Sequence, residues 1–418
     1  MREMKDGGIS WVGEIPKEWS VWRNKYIFKI TKDIVLPSKN YQLLSLTTTG
    51  IKEKDENDNG GKVPENYDGY QIVKENDLVM CLFDLDCSAV FSGLSPYNGM
   101  ISPAYKVLKV KKRIANEQYY RYWFNYVGSK RFYKQYSKSL RFTLNADEFN
   151  RLFSLLPPLA EQQRIAEFLD RECGKIDGLK ADIQAQIDTL EQYKRSIITE
   201  AVTHGLNPSA PMKDSGAGWM PLIPLHWKAD KLKFHLRQRG IKNQIDKQVL
   251  SLYREYGIVP KDSRDDNHNV TSEDVSDYRY VRVGDFVVNK MKAWQGSVAV
   301  SNYEGIVSPA YFVYEFSDDL INKRYFHYLM RNKTYATEFR RLSGGIREGQ
   351  WDLPSEALNN TIILLPPLDE QQEIADYLDN KCAEIEQIIA DKKSQIETLD
   401  GFKKSLIYEY VTGKKEVG

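Results

Sequence analysis

LPPLAEQQRIAEFLD, residues 156–170, returns as LPPLDEQQEIADYLD, residues 365–379. In each copy the Pro-Pro pair stops a strand and suits a helix start, while Glu161 or Glu370 sets a carboxylate near the positive N-terminal end of that helix. Apolar side chains then recur at Ile165, Leu169, Cys173, Ile176, Ile183, Ile187, Leu190 and Ile197, and in the second copy at Ile374, Leu378, Cys382, Ile385, Ile389, Ile396, Leu399 and Leu406. Steps of three, four and seven lay them along one stripe, the mark of a helix that pairs with another. The pattern predicts helices from Ala160 to about Ala201 and from Asp369 to about Val411. At ~1.5 Å per residue each is a rod of roughly 60 Å. One ordinary module cannot cover such a stripe, so the two rods are expected to pack on each other, antiparallel.

Working outward from the boxes, the rest of the chain is also written twice, with copies about 208 residues apart. WVGEIPKEW, Trp11 to Trp19, matches WMPLIPLHW, Trp219 to Trp227, and LSL at 44–46 matches LSL at 250–252. YQIVKENDLVM from Tyr70 matches YRYVRVGDFVV from Tyr278, and ISPAYKV from Ile101 matches VSPAYFV from Val307. Alternating, β-branched and aromatic runs at 77–83, 105–110, 285–291, 298–301 and 360–365 predict strands, and 117–136 and 321–341 predict short helices. The fold class expected is α+β, a mixed α/β chain of two globular domains separated by two long antiparallel coiled-coil helices, with a pseudo-twofold internal repeat shaped as a dumbbell. The expected boundaries are 1–155 for the first domain, 156–202 for the first spacer helix, 203–213 for a linker, 214–364 for the second domain, 365–412 for the second spacer helix and 413–418 for a tail. Gly205, Asn207, Pro208, Ser209 and Pro211 are the reason for the linker.

At 418 residues the chain is too long for one small module. With 41% hydrophobic and 28% charged residues it has a globular composition, neither disordered nor membrane-embedded. No stretch approaches the ~18–20 apolar residues of a membrane span, and MREMKDGGISW lacks an apolar signal core, so a cytoplasmic protein without a membrane partner is expected. Cys81, Cys87, Cys173 and Cys382 are too scattered for a disulfide framework or a metal site. Cys173 and Cys382 fall on the apolar stripes and read as small core residues rather than as a redox clasp.

The formal net charge of +1 is uninformative until it is divided. Residues 20–155 carry 21 Lys+Arg against 14 Asp+Glu, and 228–364 carry 21 against 18, hence +7 and +3. Residues 160–201 carry 6 against 9, and 369–412 carry 5 against 11, hence −3 and −6. Basic modules on acidic rods suit polyanion binding at the modules, with ordinary solvated surface as the competing reading. Basic residues interleaved with aromatics add weight to nucleic acid, since phosphates need cations and bases need planar or forked side chains. The first module offers Lys130, Arg131, Tyr133, Lys134, Tyr136, Lys138 and Arg141; the second offers Lys290, Lys292, Trp294, Gln295, Arg340, Arg341 and Arg347. Arg141 and Arg347 take equivalent places in SLRFT and GIREG. Each of these reads either as a DNA contact or as a surface salt bridge or loop anchor.

Motifs for chemistry are missing. There is no [D/N]PP[Y/F] tetrad for a flipped base, no GxGxxG, no GxxxxGK[ST], and no convincing nuclease arrangement of carboxylates with a lysine. His204, His226, His235, His268 and His327 show neither metal spacing nor a pairing with a cysteine nucleophile. No catalytic residue and no metal ligand is therefore assigned.

The Trp boxes at 8–19 and 216–227, the two LPPLxEQQxIAxxLD boxes and the module-rod-module-rod order resemble the specificity subunits of type I restriction-modification systems, over nearly the whole chain. One departure is Met220-Pro221-Leu222 in place of Val12-Gly13-Glu14. The resemblance implies that each module is a target recognition domain for one half of a bipartite, asymmetric double-stranded DNA sequence. It implies that the paired helices fix the gap and dock two modification subunits, which methylate adenine, and that restriction subunits add translocation and cleavage. It puts no cofactor on this chain; S-adenosylmethionine, ATP and magnesium belong to the partners. The readings that compete from other classes are a protein-binding scaffold and a stand-alone divergent methyltransferase or nuclease.

Overall fold

A computed structural model describes residues 2–35, 41–54, 67, 69–254, 256–263, 271–272, 274–345 and 351–417. It divides into two compact units, residues 1–183 with 394–418, and residues 184–393.

The first unit is built on a four-stranded antiparallel sheet in the order Phe28–Thr31, Lys106–Val110, Leu78–Met80, Ser92–Leu94. Helix Glu117–Ser129 packs its aromatic side on this sheet, burying Tyr119, Tyr120, Trp123 and Phe124 around Phe28 and Phe149. A two-stranded ribbon pairs Ser20–Arg23 with Phe153–Leu156. It therefore sets the end of the Trp box beside the start of the LPPL box.

The second unit repeats the plan. Its sheet runs Leu236–Arg239, Tyr311–Phe316, Phe286–Asn289, Val298–Val300, and its ribbon pairs Lys228–Lys231 with Ile362–Leu365. The expected helix over 321–341 is two helices, Lys323–Arg331 and Lys333–Leu342. Asn332 makes the break: its buried side chain accepts from Thr334 and Tyr335 N–H at 2.8 and 3.1 Å and donates to the Leu329 carbonyl at 2.8 Å. Residues 117–136 likewise split, the helix ending at Ser129 and a 3-10 turn taking Phe132–Tyr136 after Arg131 in the left-handed region.

The long helices are Leu159–His204 and Leu368–Val411. Helix residues 203–204 and strand residues 212–213, in Met212–Ala217, shorten the expected 203–213 linker at both ends. Each unit's core takes the start of one long helix and the end of the other: Ile165, Leu169, Cys173 and Ile176 with Leu406 and Val411 in the first unit, Ala201 and Val202 with Ile374, Ala375 and Leu378 in the second. Within the first unit the two segments run antiparallel, Phe168 lying tilted against Tyr410 with ring centroids 4.4 Å apart and Asp177 taking Lys403 at 2.6 Å. Within the second, Gln186 meets Lys392 and Lys194 meets Glu386, again antiparallel. Ile187, Cys382, Ile385 and Ile389 are buried on the stripe, and Ile183, Leu190, Ile197, Ile396 and Leu399 are half-buried.

The glutamines of the boxes are buried latches. Gln162 donates to the Ile114 and Pro157 carbonyls at 2.9 and 2.8 Å and accepts from Asn116 N–H at 2.8 Å. Gln371 does the same with Leu320, Pro366 and Asn322, at 2.9, 2.9 and 2.8 Å. Each amide is thereby satisfied on both sides, which makes it favourable to bury and costly to replace. The helices end on Gly205 and Gly413, both at positive φ (79° and 71°), the conformation glycine adopts freely at a helix end. Each glycine abuts the box tryptophan of its own unit, Trp227 or Trp19.

Candidate nucleic-acid interface

In the first unit Lys130 closes helix Glu117–Ser129, Arg131 turns the chain, and the Phe132–Tyr136 turn carries Lys134. Lys130 and Arg131 are exposed; with Lys134, Gln135, Ser137 and Phe142 they line an open depression. The Lys134 ammonium sits 4.4 Å from the Phe142 ring centroid, a cation–π contact that fixes it there. Tyr133 is wholly buried, edge-on to Phe91 and Phe149, so it is a core residue and not part of the surface its spacing suggested. Tyr136 is partly exposed, and its hydroxyl accepts from Trp11 Nε1 at 3.2 Å. Lys138 and Arg141 lie on the loop that follows, both exposed, and Arg141 pairs with Asp84 at 3.3 Å.

In the second unit Lys290 is tied to Asp352 at 2.8 Å, while Lys292 and Gln295 are exposed around the Ala293–Gln295 turn. Trp294 is half-buried and pinned by its Nε1 donating to the Met291 carbonyl at 3.0 Å. Its ring lies 5.6 Å from that of Trp351, and the Arg340 guanidinium stands 5.9 and 5.8 Å from the two centroids. An exposed arginine resting on two indoles is a pre-oriented fork, suited to phosphate or a guanine edge. Arg341 differs. Both its donors close on Glu338, a buried carboxylate, at 2.7 Å each, which raises the guanidinium pKa and commits the side chain to the fold. Arg347 lies outside the described residues.

Sequence reasoning missed Trp351, whose WDLP context matches no repeated box, and Phe142, whose role depends on a chain reversal. Burial pushes the thiols of Cys81, Cys173 and Cys382 up, the opposite of a nucleophile's need. Among the described residues no cluster of His, Cys, Asp and Glu could hold a metal ion, and no helix is long and apolar enough to cross a membrane.

Residues 241–398 match the family model described as the type I restriction modification DNA specificity domain. The chain is similar to the type I restriction enzyme MjaVIII specificity subunit of Methanocaldococcus jannaschii, 26% identical over 83% of this chain and 80% of that one. By that domain match and that relative, the chain is similar to type I restriction-modification specificity subunits.

Its fold matches solved structures. A chain from work on complex assembly and conformational transition of the type I R-M system superposes with a TM-score of 0.69 at 14% identity, covering 96% of this chain and 99% of that one. The HsdS subunit from Thermoanaerobacter tengcongensis gives 0.50 at 15% identity, over 96% and 98%.

Proposed function

We propose that the chain addresses a divided, asymmetric DNA sequence, one unit per half-site, and performs no chemistry itself. The supporting observation is a repeated frame with unlike faces. Both units share sheet order, glutamine latch and helix-ending glycine. Yet the first presents Lys130, Arg131, Lys138 and Arg141, and the second presents Lys292, Gln295 and an arginine on two tryptophans. Identical frames with different polar equipment suit two different half-sites, and binding both at once makes the second contact effectively intramolecular. The acidic long helices suit docking of two modification subunits in a cytoplasmic assembly, with restriction subunits joining. S-adenosylmethionine, ATP and magnesium then act on those partners.

Two measurements on the isolated chain test this. S-adenosylmethionine titration is expected to give no binding, and gel shift on duplex DNA is expected to give retention that falls steeply with salt. Binding of S-adenosylmethionine by this chain alone overturns the division of labour. Absence of DNA retention, both alone and with modification subunits, overturns the recognition role.

A further inference from the structure

Leu140 is 101% exposed, as open to solvent as a leucine can be. A lone surface leucine is ordinary, but three observations set this one apart. First, it stands at the tip of a braced turn. Phe142 N–H donates to the Ser139 carbonyl at 3.0 Å, placing Leu140 and Arg141 at the two central positions. Ser137 Oγ donates to the Thr143 carbonyl at 2.9 Å, and Thr143 N–H donates to Ser139 Oγ at 2.7 Å. The Arg141 and Phe142 carbonyls accept from Asp84 and Leu85 N–H, each at 3.2 Å, and Leu144 N–H donates to the Leu82 carbonyl at 2.7 Å. The turn thus presents its tip on a bonded base, and the ordering entropy of holding it out is already met in the free protein.

Second, the tip is ringed by cations: Lys138 and Arg141 flank it in sequence, and Lys130, Arg131 and Lys134 line the depression beside the same loop. Asp84, whose N–H bonds the turn, has its carboxylate engaged by Arg141. A phosphate backbone is the surface such a ring suits, and an apolar tip within it has no hydrogen bond to offer a phosphate. Third, the second copy writes Gly345-Ile346-Arg347 where the first writes Ser139-Leu140-Arg141, again a branched aliphatic residue directly before an arginine.

Resting on the recognition role proposed above, we infer that Leu140 is a wedge: it enters the base stack of the first half-site at one step, while Lys138 and Arg141 hold the phosphates on either side. An apolar side chain between bases partly unstacks them and bends the duplex, and the deformability of that step then becomes part of the specificity.

The test uses the full-length chain and duplexes recovered from a randomised library by the wild type, with 2-aminopurine placed singly at each adenine of the enriched sequence. Wild-type binding is expected to raise the fluorescence at least threefold at one position and not elsewhere. Leu140→Ser is expected to abolish that rise while weakening affinity by less than about tenfold, and Leu140→Phe to restore it. Lys138→Gln is expected to weaken binding but leave the rise intact. Equal fluorescence for wild type and Leu140→Ser, or no rise at any position on a duplex that binds, overturns the wedge alone. A wild type that enriches no sequence overturns the recognition role and the wedge with it.

Discussion

The indole Nε1 of Trp19 donates to Glu161 Oε2 at 2.9 Å, across 142 residues, joining the Trp box to the LPPL box. Trp227 repeats the bond with Glu370 at 3.1 Å. In the first unit Arg2 closes on the same carboxylate with two donors, at 2.5 and 2.8 Å, and in the second His226 Nε2 stands 2.7 Å from Glu370. With Gly413 against Trp19 and Gly205 against Trp227, each tryptophan holds the start of one long helix and the end of the other.

Glu161→Ala leaves the buried Trp19 indole N–H without its acceptor and the largely buried Arg2 guanidinium with Glu18 alone, at 3.2 Å. It is expected to cost about 3 kcal/mol, and Glu161→Gln less. Hydrogen exchange in peptides spanning residues 11–19 and 159–170 reads the loss.

Gly413→Ala forces an L side chain into positive φ and puts its Cβ 2.4 Å from Pro16 Cδ. Gly205→Ala meets only Glu370 Oε1 at 3.1 Å, the movable end of a side chain, and the Trp227 ring at 3.3 Å. Both are expected to destabilise by about 1 kcal/mol or more, Gly413→Ala by the larger amount. Thermal melts of the two variants rank them.

These bonds explain what was legible in the chain and what was not. The boxes and stripes stand out because repeats and helical spacing are local patterns, and Leu159–His204 and Leu368–Val411 begin within a residue of where Pro-Pro and the stripes put them. That Trp19 answers Glu161 left no trace, because a bond between distant residues has no period. Asn332 was hidden for a related reason: apolar spacing runs on through 321–341, and only the cap reveals two helices. Tyr133 shares its spacing with surface lysines yet turns inward, since the left-handed residue Arg131 resets the face before it.

Adjacent arginines are expected to separate two roles. Arg340→Ala frees two indoles and weakens DNA binding by roughly 1–3 kcal/mol if the fork reaches a base, with a smaller fall in melting temperature than Arg341→Ala. Arg341→Ala leaves Glu338 buried and unpaired, so it lowers the melting temperature. Paired gel-shift and melting measurements on both variants decide the assignment.

His327 gives the second unit a dependence on pH. Desolvation, aided by the Arg331 guanidinium, pushes its imidazole down to about 4, and its Nδ1 accepts from Val300 N–H at 3.3 Å. Above the unfolded value near 6.5 both states are neutral and pH has no effect through this group. As pH falls from about 6.5 through 4 the unfolded chain takes the proton first, and stability is lost by up to about 3 kcal/mol. His327→Gln is expected to flatten the fall in melting temperature between neutral pH and about pH 4.5.

Selection of a randomised duplex library by the chain with its modification subunits, followed by sequencing, bears most directly on the reading of two units for two half-sites. The expected result is two unlike blocks of enriched bases at one fixed separation, with Lys138→Gln weakening enrichment of one block and Trp294→Ala of the other. A single uninterrupted motif, or two blocks that both respond to either substitution, contradicts it.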